Sequence, residues 1–129
     1  MGYQLKINPD EHLVVVIFYG RVSIEELLKL DDEIPSHPDF LLSFKGVYDF
    51  RDSVKGYTPQ DLKKLKNKSD EFNSNKGRWC SLNSTPIETG LSELFKIQRK
   101  KVHPIESFCT IEAASQFLGI DLSQYLKHH

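Results

Sequence analysis

The sequence predicts one α/β domain whose mixed β-sheet opens with an N-terminal hairpin and carries helices packed on it. Three observations lead there. Tyr3, Leu5 and Ile7 alternate with polar residues, and the turn-forming Asn8-Pro9-Asp10-Glu11 separates them from an apolar run, Leu13 to Tyr19. Beyond that run, short apolar stretches alternate with segments that start at capping residues and repeat apolar side chains at helical spacing. The 129 residues suit a single domain spanning 1–129, large enough to bury roughly two-thirds of its unfolded surface without metals or disulfides.

Taken in order, Tyr3–Ile7 reads as a half-buried strand and Leu13–Tyr19 as a central one, rich in β-branched and aromatic residues. Gly20 is expected to close the hairpin. Ser23 and Glu26 then have capping-box spacing, so a helix should start there, bury Ile24, Leu27, Leu28 and Ile34, and stop at Pro35. Phe44–Phe50 (FKGVYDF) reads as the next core strand. Thr58 has the position of an N-cap, with Pro59 first in the helix and Asp61 three residues on, leading to an apolar stripe of Leu62, Leu65 and Phe72. Arg78–Leu82 follows as a short strand. Thr85-Pro86 opens a third helix with Ile87, Leu91, Leu94 and Phe95 on one face and Arg99, Lys100 and Lys101 at its end. Ile105–Cys109 is the last strand. Thr110 caps a final helix that ends at Gly119, and Leu122–Leu126 should pack back as an amphipathic tail. The order β-β-α-β-α-β-α-β-α, an N-terminal hairpin and a ββαβαβα core in which strands and helices alternate after the hairpin, implies parallel later strands joined by right-handed crossovers.

Composition narrows the function. The 17 Lys and Arg against 18 Asp and Glu leave a net charge of −1, so no field of one sign draws nucleic acid or an anionic membrane. The N-terminus lacks signal-peptide regions, and Lys6 stands where N-myristoylation wants Ser or Thr. The longest apolar run is far short of a membrane span. A cytoplasmic location without membrane insertion is the expectation. Lys127-His128-His129 is either native or a purification-tag stub, and carries no weight here.

With the elements placed, the chain resembles small bacterial SpoIIAA-like (STAS/SEC14-type) single-domain proteins. The likeness rests on Tyr3-Gln4-Leu5-Lys6-Ile7, on Leu13-Val14-Val15-Val16 with Phe18-Tyr19-Gly20, and on His37-Pro38-Asp39-Phe40. Tyr48-Asp49-Phe50-Arg51-Asp52, Gly90-Leu91 and Phe108 complete it. These are packing, turn and strand-end residues. The resemblance implies a mixed sheet with helices on it. It also brings in the STAS relatives, anti-sigma-factor antagonists phosphorylated on a Ser within an Asp-Ser-Ser-Gly loop. Counting on from Asp49, that loop falls at Tyr57-Thr58-Pro59-Gln60. Thr58 takes the acceptor position, without the Asp before it or the Gly after it.

Four groups of residues are worth weighing. Asp49, Arg51 and Asp52, expected at the C-terminal end of a strand where open α/β sheets bind ligands, form either a cleft for a cation or polar head group or a local ion pair. Thr58 is either a phosphate site at a helix N-terminus or a plain cap, and capping is the simpler reading. Lys63, Lys64, Lys66 and Lys68 form a basic surface suited to an acidic partner or lipid, or a solvated helix face; without interleaved aromatics it does not suggest nucleic acid. Cys80 and His103 are a nucleophile and base only if the fold unites them, and nothing local lowers the thiol pKa. His12, His37 and His103 lack metal-ligand spacing, phosphate-loop and serine-hydrolase motifs are absent, and no cofactor is expected.

These readings favour a non-enzymatic binding or regulatory module that meets another protein or a small ligand. A homodimer is compatible with the pattern. The alternatives are a carrier of an apolar or lipid-like ligand, walled by Ile87, Leu91, Leu94, Phe95, Phe117 and Leu118, and, more weakly, a hydrolase. A packed two-layer domain of this size argues for a shallow polar cleft near Asp49, Arg51 and Asp52 in place of a lipid cavity. Cys80 and Cys109 are expected to be reduced and structural.

Overall fold

The alternating N-terminal segment forms strand β1 (Gly2–Asn8), which pairs antiparallel with β2 (Leu13–Val22) through the Asn8–His12 turn. His12 takes a positive φ of 53° and stacks on Phe44. The computed structural model describes residues 2–41, 43–58, 60–61, 78–84 and 105–127. Within them, β3 (Lys45–Lys55), β4 (Trp79–Leu82) and β5 (Ile105–Phe108) join β2 in parallel, in the order β1-β2-β3-β4-β5. The expected mixed sheet with its N-terminal hairpin is present. Helices expected from Thr58 and from Thr85 lie outside the described residues.

Period-two alternation splits the core between the two faces of the sheet. On one face Val14, Val16, Phe18, Tyr48, Phe50 and Trp79 meet helix α1 (Ile24–Ser36) through Leu27, Leu30 and Ile34. On the other, Leu13, Val15, Val47, Cys80 and Leu82 meet helix α2 (Ile111–Leu118) through Ile111, Ala114 and Leu118. Leu122 and Leu126 of the tail close that second core, as the amphipathic spacing suggested. Gly46 allows the layers to meet: a Cβ there would lie 2.2 Å from the ring of Trp79, its partner across β3 and β4.

The caps follow the sequence. Ser23 Oγ accepts from the Glu26 amide, Thr110 Oγ1 accepts from the Ala113 amide, and Gly119 at φ 72° ends α2. Some boundaries differ. Gly20, at φ 71°, does not end β2, because Gly20, Arg21 and Val22 continue the ladder against Ser53, Val54 and Lys55. For the same reason β3 passes Phe50 and reaches Lys55. α1 runs one residue beyond Pro35, since in the last turn the missing N–H removes a single ladder bond.

Candidate functional site

A register slip in β3 builds the site. Ile17 pairs with Asp49 and Tyr19 with Asp52, so Phe50 and Arg51 together oppose Phe18. This is a β-bulge, uncommon between parallel strands and often placed where a side chain must be re-aimed. Asp49, Arg51 and Asp52 therefore sit inside a strand, not at its end as the sequence suggested. Asp52 is aligned with Tyr19, on the α2 side of the sheet, where uninterrupted alternation would have turned it toward α1.

Asp49 and Arg51 form a closed pair. Asp49 Oδ1 accepts from the Arg51 amide at 3.1 Å and from its Nε at 2.9 Å, and Oδ2 accepts from Nη2 at 3.0 Å. The Arg51 and Asp49 side chains are only 6% and 5% exposed. Burial makes each ion depend on the other, because neither is stable alone in a low-dielectric setting. Of the two sequence readings of this group, the ion pair is present, and it forms the floor of a polar cleft of about 220 Å³. Asp52, at the same cleft, is exposed.

The rest of the lining comes from far along the chain. Gln4 and Lys6 are polar positions of β1, and Gln4, Ile17 and Asp49 stand in one row across β1, β2 and β3. Tyr125 and Lys127 reach the cleft from the tail. Asn8 Nδ2 donates to the Tyr125 hydroxyl at 2.8 Å, and that hydroxyl donates to Glu11 Oε2 at 2.5 Å. Burial, then Glu11, raises the Tyr125 phenol pKa and keeps the proton in that bond. Sequence reasoning missed Gln4, Lys6, Tyr125 and Lys127. The β1 alternation placed Gln4 and Lys6 on one face, but no local signal brings the tail to them.

Burial falls along this face. Leu13, Val15 and Val47 are sealed under α2 and the tail, whereas Val54 is 60% exposed and Arg21 is exposed beside it; Tyr19 instead lines a groove with Glu26, Lys29 and Glu33 of α1. The cleft marks the border between the covered and open halves.

The other sequence candidates are placed as follows. Thr58 is exposed and shares reciprocal bonds with Asp61: Thr58 Oγ1 accepts from the Asp61 amide at 3.2 Å, and Asp61 Oδ2 accepts from the Thr58 amide at 2.9 Å. That exchange is capping chemistry. Lys63, Lys64, Lys66, Lys68 and His103 lie outside the described residues, as do Ile87, Leu91, Leu94 and Phe95. Of the proposed carrier walls, Leu118 is buried in the core and Phe117 packs on Phe108. Cys80 is fully buried and desolvation pushes its thiol pKa up to about 12, so it is a poor nucleophile at neutral pH. Neither Cys80 nor Cys109 forms a disulfide, and Cys109 is exposed. Asn83, which the sequence did not single out, is fully buried where β4 ends and accepts from Lys55 Nζ at 2.9 Å. Among the described residues, no cluster of three or more His, Cys, Asp or Glu side chains is arranged to hold a metal, and no helix is long and apolar enough to cross a membrane.

Comparison with solved structures decides the fold. The unphosphorylated anti-sigma factor antagonist SpoIIAA superimposes with a TM-score of 0.51 at 14% identity, over 92% of this chain and 98% of that one. The fold is SpoIIAA-like. An uncharacterised DUF3478-family protein from Shewanella loihica PV-4, described as having a SpoIIAA-like fold, gives a TM-score of 0.54 at 11% identity, over 91% and 92% of the two chains. No protein-family model and no curated protein sequence matches the chain. The SpoIIAA-like fold matches the resemblance read from the strand and turn residues.

Proposed function

We propose that this SpoIIAA-like domain is a regulatory binding module that docks another protein and performs no covalent chemistry of its own. The observation that carries the reading is the burial gradient on the α2 face: Arg21, Asp52 and Val54 form an open, partly apolar surface on the sheet, with a charged cleft at its border. The chemistry of the described groups fits this role. Asp49 is held by Arg51, the Thr58 hydroxyl accepts from an amide, and the Cys80 thiol is buried. The likeness to an anti-sigma factor antagonist, a protein named for acting on another protein, supports the same class. The cleft, at about 220 Å³, is below the roughly 300 Å³ expected of a site that encloses a drug-sized ligand, and the larger groove of about 490 Å³ is open and lined by the charged Glu26, Lys29 and Glu33, so neither suits an enclosed apolar ligand.

Site-specific photo-crosslinking tests the proposal. A benzophenone side chain placed at Val54 or Arg21 is expected to capture one discrete protein partner in host cells, and the same group at exposed Lys29 on α1 is not. Capture only from Lys29, or from neither face, would overturn it.

A further inference from the structure

We infer that the cleft receives a single oxyanion, a carboxylate or phosphate group, on the free edge of Arg51 with Lys6 and Lys127 beside it. The inference rests on the docking reading for its surface and adds the chemistry of what that surface grips. A guanidinium carries five N–H donors arranged along two usable edges. Asp49 occupies the Nε–Nη2 edge. The Nη1–Nη2 edge has no protein acceptor among the described residues, although the side chain is only 6% exposed. Among these residues, Glu26 Oε2 is the side-chain atom sealed from solvent without a hydrogen-bond partner. Arg51 Nη1 is therefore not sealed, and the cleft that Arg51 lines is where it meets water. The result is a desolvated, oriented pair of N–H donors, fixed from behind by Asp49, which suits bidentate binding of a carboxylate or phosphate.

The rest of the cleft agrees. Lys6 and Lys127 line it, and neither ammonium has a hydrogen-bond or ion-pair partner among the described residues. Lys6, Arg51 and Lys127 against Asp49 and Asp52 leave one positive charge, three minus two. That balance favours one anionic group over a polyanion, and Asp52 at the cleft disfavours more than one. Ile17 and the Tyr125 ring offer apolar surface for the short organic body that carries it. Two sources supply this chemistry: a free small anion, or an acidic side chain of the docked partner.

Nitrogen-15 NMR titration of the full chain with sodium acetate, inorganic phosphate and an N-acetylated, C-amidated aspartate tripeptide tests it, at constant ionic strength with chloride as control. Saturable shifts are expected at Arg51 Nε–H and at the Gln4 and Lys6 amides. The surface variant Lys6→Gln/Lys127→Gln, which leaves the buried pair intact, is expected to weaken binding by about tenfold. Tighter binding of the tripeptide than of acetate assigns the oxyanion to a protein partner, and equal binding assigns it to a free anion. The inference is overturned if Arg51 Nε–H does not respond, if chloride produces the same shifts, or if the double variant binds as well as the parent. In that case crosslinking from Val54 still judges the docking reading separately.

Discussion

Replacing Asp49 with alanine probes the element on which the site is built. The substitution removes an acceptor of three hydrogen bonds, from the Arg51 amide, Nε and Nη2, and leaves a guanidinium that is 6% exposed without its counter-ion. Breaking a buried ion pair by deleting one partner costs about 3–5 kcal/mol. The Nη1–Nη2 edge of Arg51 reaches the water of the cleft, which places this case near about 3 kcal/mol. Against a total of about 5–15 kcal/mol for a domain, that is a large share. With a urea slope of about 1.5 kcal/mol/M, the unfolding midpoint should fall by about 2 M. The double variant Asp49→Leu/Arg51→Met removes both charges at similar volume and should recover most of the loss, because the cost lies in the stranded ion and not in the missing pair. Urea melts followed by the single tryptophan and by far-ultraviolet circular dichroism measure all three. A loss below about 1 kcal/mol for Asp49→Ala, the scale of a solvent-exposed pair, would refute the claim that the bulge buries a mutually dependent ion pair. So would a double variant less stable than the single one.

The remaining predictions test other parts of the structure. Thr58→Ala should cost about 1 kcal/mol in chemical denaturation while Thr58→Asp stays near the parent, because both Thr and Asp can accept from the Asp61 amide; a kinase that modifies Thr58 stoichiometrically and switches partner binding would restore the phosphoacceptor role. A thiol reagent at pH 8 should label exposed Cys109 quickly and Cys80 only on unfolding. The folded thiol of Cys80 lies near 12 against about 9 when free, so its contribution to stability is full below pH 9 and fades as pH rises toward 12; Cys80→Ala should flatten that alkaline limb. Gly46→Ala places a Cβ 2.2 Å from the Trp79 ring and should cost about 1–3 kcal/mol, with a changed tryptophan emission; an unshifted thermal midpoint would show that the ring moves aside freely.

The sequence was most legible where structure depends on near neighbours. The hairpin follows from alternation and turn chemistry between Tyr3 and Tyr19, and the caps at Ser23, Thr110 and Gly119 from residues that satisfy helix ends within four positions. Asp49, Arg51 and Asp52 stood out as a charged triplet beside an apolar run, which drew notice to the right stretch of chain. Their roles within it were not legible. An Asp two residues before an Arg is equally consistent with an open ligand site and a closed pair, and the choice depends on burial from other strands.

By itself, then, the sequence determined the class of sheet, the strand directions after the hairpin, the helix starts at Ser23 and Thr110 and the lack of a dominant charge. Each of these is encoded in periodicity, caps or composition, which act over a few residues or over the whole chain at once. Only the tertiary structure decided that Phe50 and Arg51 share one place opposite Phe18, and that Asp52 therefore lies on the α2 side. It alone brought Lys6 and Lys127 to one cleft, fastened by the bond between Asn8 and Tyr125, 117 residues apart. A register slip is settled by which neighbouring strand offers its ladder, and a tail's position by the apolar surface left for Leu122 and Leu126 to cover. Neither neighbour is present in the local sequence, so such contacts exist only once the sheet has formed.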